Sequence, residues 1–163
     1  MRPTRLVDFG YTGCHEYFLT ICTFERQKHF TSEGLVGDIR SIFLHTAGEL
    51  RFAIPAYCFM PDHIHILAEG KAKSADLCMF VNIAKQRSAF VARRWIRGRL
   101  WQAGYFDRVL REDDSTFAVA RYIVQNPVRA GLVRPPVEYP FCGSSIWSKE
   151  ELVESTMWRP GAP

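Results

Sequence analysis

Long apolar stretches are missing from this chain. No run reaches 18 apolar residues, so no segment reads as a membrane-spanning helix. Met1-Arg2-Pro3-Thr4-Arg5 leads into no apolar segment, so no secretory leader is expected. Cysteine pairing is missing too: Cys14, Cys22, Cys58, Cys78 and Cys142 are odd in number and none has C-x-x-C spacing. That argues against a disulfide frame or a cysteine zinc cluster, and the thiols read as small core residues of a cytoplasmic protein. There is no H-E-x-x-H metalloprotease motif and no glycine-rich phosphate loop, so neither that chemistry nor a nucleotide cofactor is expected. One more absence is informative: the run KQRSAFVARRWIRGR, residues 85–99, has six cations and no acid.

What remains is a globular composition, 47% apolar and 13% aromatic, in 163 residues, which suits one domain with its own core. The net charge of +4 is a mild pointer to an anionic partner. Residues 1–13 read as a basic arm and 148–163 as a tail, with KEELVEST a short helix.

Between them the pattern alternates. His15 to Phe24 is rich in aromatic and β-branched residues and predicts a strand. Thr31-Ser32 offers an N-cap, and Leu35, Ile39, Ile42 and Phe43 repeat at helical spacing up to Gly48. Residues 51–60 and 63–68 predict two strands joined at Pro61-Asp62 as a hairpin. Ser74 is expected to cap a second helix with an apolar stripe of Leu77, Val81, Ala84, Ser88, Val91 and Trp95. Gly104 to Leu110 predicts a fourth strand. A third helix is expected from Asp114-Ser115 to Gln125-Asn126, stopped by Pro127. This order, β-α-β-β-α-β-α, predicts an α+β fold (an α/β sandwich) of the ferredoxin-like split βαβ kind. It would have an antiparallel four-stranded sheet and a C-terminal helix carrying the chemistry.

The chemistry-bearing residues begin in CFMPDHIHIL, residues 58–67. Strand alternation puts His63 and His65 on one face and Ile64 and Ile66 on the other. Two imidazoles on a rigid strand can hold a divalent ion, or one can pack while the other is solvated. A third alternate histidine would suit a histidine-triad nucleotide hydrolase, but that position is Leu67. On the third helix, Tyr122 shares a face with Gln125 or Asn126. It is either a rim residue of the core or a nucleophile in line with a phosphodiester at the metal. Phe117, Ala120 and Val124 lie on the helix's other side. Asn126 is either a ligand or simply a helix-ending residue. In the basic run, Lys85, Arg87, Arg93, Arg94, Arg97 and Arg99 form a solvated face or contact phosphates. The helix is expected to continue through Arg97. Trp95 is expected in the core, while Trp101, Tyr105 and Phe106 are candidate stacking platforms for unpaired bases.

Together, CFMPDHIHIL, WQAGYFDRVLR, YIVQNPVRAGLV and YPFCGSS resemble the histidine–hydrophobic–histidine motif and flanking segments of single-tyrosine transposases. The resemblance runs from about residue 15 to 147 and is greatest to the REP-associated branch. It implies one transposase domain over 1–163 that cleaves and joins single-stranded DNA through a 5′-phosphotyrosine. It also implies Mg²⁺ or Mn²⁺ as cofactor and hairpin DNA of repetitive extragenic palindromes as partner. The setting would be a bacterial cytoplasm, at the nucleoid. By motif position Tyr122 is the nucleophile, His63 and His65 are metal ligands, and Asn126 is the third ligand. Relatives more often place glutamine there, which leaves Gln125 as the alternative. Phe141-Cys142-Gly143-Ser144-Ser145 departs from the usual aromatic-Ser-Ser ending. A monomer and a dimer with shared sites are both compatible. Rival readings are a ferredoxin-like nucleic-acid-binding module without catalysis and a replication-initiator or relaxase-type nuclease.

Overall fold

Alternating apolar residues and a two-residue turn set the sheet. The structure, a computed structural model, describes residues 9–112 and 114–157; most of the basic arm and the end of the tail lie outside them. Strands β1 (Glu16–Cys22), β2 (Phe52–Met60), β3 (His63–Gly70) and β4 (Phe106–Val109) alternate with helices α1 (Glu33–Glu49) and α2 (Leu77–Ala92). After them come α3 (Thr116–Arg129), a short β5 (Cys142–Gly143) and α4 (Lys149–Met157). The sheet order is β4-β1-β3-β2-β5, antiparallel throughout. The first four strands realise the split βαβ arrangement, and β5 extends it by one strand along β2.

That fifth strand was not foreseen, because two residues carry no periodicity. Gly143 permits it: a Cβ there would stand 2.5 Å from the Tyr57 hydroxyl.

One face of the sheet carries Tyr17, Leu19, Ile21, Ile64 and Ile66, all buried. Phe43 of α1 and Phe80 of α2 close over Ile54, Tyr57, Phe59 and Ile66. Phe80 stacks on Phe52 with ring centroids 5.2 Å apart. Ser88 fits its apolar stripe because its hydroxyl bonds the Ala84 carbonyl and accepts from Trp101 Nε1 at 3.0 Å.

Several expected boundaries move. Asp76, not Ser74, caps α2, accepting from the Met79 amide. The helix stops at Ala92, so Arg93 is its cap and Arg94, Arg97 and Arg99 lie beyond it. Past Ala92 the ladder tightens to three-residue turns, with the amides of Arg93, Arg94 and Trp95 donating to the carbonyls of Phe90, Val91 and Ala92. Trp95 donates its indole N–H to Asp38 at 2.9 Å. It lies on Gly34 of α1, where a Cβ would come within 2.2 Å of the ring. Trp95 is therefore 49% exposed and not core, and Phe80 and Ala92 take the buried positions instead.

Ser115 caps α3, but Pro127 does not stop it. Proline already has a helical φ and its missing N–H forfeits only one bond near the end of the helix. Termination falls to Gly131, at φ 72°, where the chain enters the left-handed region. Of the residues opposite Tyr122, Ala120 and Val124 are buried, together with Ile123 and Pro127, while Phe117 is 59% exposed.

Phe80→Ala should lower the unfolding free energy by about 3–5 kcal/mol, the usual cost of emptying a buried aromatic site. A shift of the urea midpoint to lower concentration checks it.

Candidate active site

The imidazole pair is built by the β2–β3 hairpin. With Pro61 and Asp62 as the whole turn, Met60 pairs with His63, so β3 enters the sheet with His63 and His65 on the face away from α1 and α2. Across the sheet His63 lies opposite Cys22 and His65 opposite Thr20. The two Nε2 atoms stand 3.1 Å apart. Each ring is fixed from behind: His63 Nδ1 lies 2.6 Å from Asp62 Oδ1, and His65 Nδ1 lies 3.0 Å from Thr20 Oγ1. Asp62 is itself held by Arg26 Nε at 2.9 Å. Arg26 follows Glu25 in a turn where both have left-handed φ, 57° and 53°, a strained conformation for non-glycine residues.

The electrostatics favour neutral imidazoles. Burial, with the charge of His63 adding to it, lowers the His65 pKa to about 3. Burial also lowers that of His63, against the opposing pull of the Asp62 carboxylate. Burial alone would raise the Asp62 pKa, but the His63 hydrogen bond and Arg26 bring it below the usual carboxylate value.

Helix α3 crosses this same face, packing on β2 and β3. Tyr122 is 40% exposed, and its ring centroid lies 5.7 Å from that of His65 and 5.7 Å from that of Phe18. Phe18 stacks on His65 at 5.3 Å, and the Arg129 guanidinium lies 5.3 Å from the Tyr122 centroid. The chain thus brings His63, His65 and Tyr122 together within one subunit.

Asn126 turns its amide N–H back to the Tyr122 carbonyl at 2.7 Å, and Gln125 directs Nε2 to Met157 of α4 at 3.2 Å. Both amides are within a turn of Tyr122, and both make these contacts as donors through nitrogen. Among the described residues no group of three His, Cys, Asp or Glu side chains forms a metal cluster.

The imidazole pair still suits a divalent ion. Two neutral nitrogens converge, and each ring is anchored through its other nitrogen, as metal-bound histidines are. Adjacent ligands of an octahedral ion at about 2.1 Å stand about 3.0 Å apart, close to the separation found.

The basic run divides. Lys85 donates to the Gln102 and Gly104 carbonyls at 2.9 and 2.6 Å, and Arg87 pairs with Glu49 of α1. These two brace the fold. Arg93, Arg94, Arg97 and Arg99 are exposed. Arg93 and Arg99 border an open groove of about 410 Å³ with Phe90 and Gln86. The loop carrying Arg97 and Arg99 joins the sheet beside the histidines: Phe24 N–H donates to Leu100 O, and Gln102 N–H to the carbonyl of Cys22, the residue opposite His63. Of the aromatic candidates, Trp101 and Tyr105 are buried; only Phe106 is open.

The supporting residues Thr20, Asp62, Arg26, Phe18 and Arg129 escaped the sequence reading. Only Asp62, adjacent to His63, had a visible signal.

A ferredoxin-like sheet with paired imidazoles on its central strand and a tyrosine on the covering helix places the chain among tyrosine transposases, enzymes that cleave and join DNA. The chain belongs to the IS200-like transposase family, whose pattern matches residues 12–126. It is 26% identical over 147 residues to a Haemophilus influenzae protein provisionally named a REP-associated tyrosine transposase, covering 82% of this chain and 81% of that one. Its fold is similar to the structure of a REP-associated tyrosine transposase bound to a REP hairpin, with a TM-score of 0.70 and 18% identity over 85% of this chain and 81% of that one. It is also similar to a provisionally named transposase from Deinococcus radiodurans, with a TM-score of 0.52 and 24% identity over 80% of this chain and 97% of that one.

Isothermal titration with Mn²⁺ should show one site that His63→Ala or His65→Ala abolishes. Thr20→Val should weaken it about 10–100-fold, the usual effect of removing a ligand's supporting partner.

Proposed function

We propose that this chain is a single-strand DNA cleaving and joining enzyme with Tyr122 as nucleophile. The observation that carries the reading is the Tyr122 ring lying 5.7 Å from the His65 ring of its own chain. The phenol oxygen attacks the scissile phosphorus and gives up its proton. The bond from phosphorus to the 3′ oxygen breaks, and that oxygen leaves as a free 3′-hydroxyl. The product is a 5′-phosphotyrosine. Attack by a DNA 3′-hydroxyl reverses the step and reseals a strand without loss of bond energy, so no nucleotide cofactor is consumed.

The protein's own groups chiefly position the reaction. Phe18, His65 and Arg129 fix the tyrosine ring. Held by His63 and His65, Mg²⁺ or Mn²⁺ would polarise a non-bridging phosphate oxygen as a Lewis acid. Asn126 or Gln125 would complete such a site through its side-chain amide oxygen, since the contacts each makes here are donated by the amide nitrogen. Arg93, Arg94, Arg97 and Arg99 hold the DNA backbone, while Lys85 and Arg87 serve the fold. The substrate is hairpin DNA with an unpaired flank, of the REP type bound by the structurally similar transposase, met in a bacterial cytoplasm. The whole of 1–163 works as one unit, and a monomer suffices.

Incubation with labelled hairpin DNA and Mn²⁺ should give a covalent band that survives a denaturing gel. Tyr122→Phe should abolish the band while leaving DNA affinity within about 2-fold, as expected when only a transition-state contact is lost. Mixing Tyr122→Phe with His65→Ala should not restore it. Restoration would show that sites are shared between subunits, and absence of any band with any divalent ion would leave a binding module. Arg97→Ala and Arg99→Ala should weaken DNA binding and flatten its dependence on salt, by a slope of about 0.7 per phosphate contact for single strands.

A further inference from the structure

Resting on the function just proposed, we infer that Phe106 is a stacking platform for one unpaired nucleobase beside the scissile phosphate. Phe106 lies opposite Thr20, and Thr20 opposite His65. Residues directly opposite in an antiparallel sheet share a face, so Phe106, Thr20 and His65 form one row on the catalytic side. Two interstrand spacings separate the ends of the row, about 9–10 Å. That is within reach of a nucleotide whose neighbouring phosphate sits at the imidazoles.

The row is open where Phe106 stands. Helix α3 packs on β2 and β3, while β4 is the outer strand on the other side. Phe106 is 47% exposed, whereas Trp101 and Tyr105, the other aromatic residues leading into β4, are buried. An exposed phenylalanine on a strand edge is a pairing hazard that proteins ordinarily replace with charge. Two residues on, Arg108 projects from the same face and is exposed, its guanidinium steadied by Asp114. An aromatic ring followed by a cation along one strand matches the alternation of base and phosphate along an unpaired DNA strand. A flat ring reads no hydrogen-bond pattern, so the platform orders the strand and holds it in line with Tyr122, and does not select a sequence.

The test is a cycle in protein and DNA. Hairpin DNA with a single-stranded flank is prepared intact and with one abasic residue at each position around the cleavage site. Its affinity is measured by fluorescence anisotropy for wild type, Phe106→Ala and Phe106→Trp. The expected result is a loss on the order of 10-fold for Phe106→Ala, the scale of one base–aromatic stack, with Phe106→Trp restoring it and thermal stability unchanged. At one flank position the abasic penalty should be large for wild type and vanish for Phe106→Ala. Penalties that multiply at every position, or wild-type affinity in Phe106→Ala, would overturn the platform. Because affinity is read apart from cleavage, that outcome is distinct from failure to form the tyrosine adduct, which would overturn the catalytic reading instead.

Discussion

Everything at this site depends on keeping two imidazoles on a half-buried strand face. Withdrawing them from water disfavours their charged forms and would leave their nitrogens costly without partners. Asp62 and Thr20 offset that cost by occupying both Nδ1 atoms, which leaves both Nε2 atoms directed at one point. The partners are supplied by the scaffold itself, Asp62 by the hairpin turn and Thr20 by the neighbouring strand. Tyr122 then needs only a helix laid across the same face. The buried residues Ala120, Ile123, Val124 and Pro127 anchor that helix and leave the phenol at the open margin.

The parts of this plan that rest on periodicity were legible in the sequence. Strand alternation separated His63 and His65 from Ile64 and Ile66, and the helical spacing after Thr31-Ser32 located α1. The β-α-β-β-α-β order gave the sheet its topology. Features set by contacts between distant segments were not legible. The basic run was expected to stay helical through Arg97, but α2 ends at Ala92 and Trp95 packs on α1 at Asp38 and Gly34, so Arg94 and Arg97 fall on a loop. Pro127 looked like a helix stop, but burial of its ring and the left-handed Gly131 move the end onward. Two cations expected to meet DNA are spent inside the fold, Lys85 on loop carbonyls and Arg87 on Glu49, pairings that no local pattern records. The separate engagements of Asn126 and Gln125 were equally invisible, since one depends on α4 and the other on a side-chain rotation.

Helix α4 adds an outer support. Arg121 bonds the Thr156 carbonyl and Gln125 reaches Met157, so the helix bearing Tyr122 is gripped on both sides, by the sheet beneath and by the tail outside. On the proposed reading, Tyr122 therefore attacks from a clamped element, and the surfaces proposed for DNA are the β4 edge and the arginine loop.

The brevity of the Pro61–Asp62 turn has an evolutionary corollary. Side chains on β3 alternate with a period of two, so the turn acts as a parity check on the whole strand. One extra residue absorbed by sliding β3 would send both histidines into the apolar layer beneath α1 and α2 and expose Ile64 and Ile66 in the cleft. Descendants of this chain can lengthen that loop by twos, or bulge an odd residue out of the ladder. A simple odd-numbered shift would invert the protein's inside and outside along the one strand where they must not be exchanged.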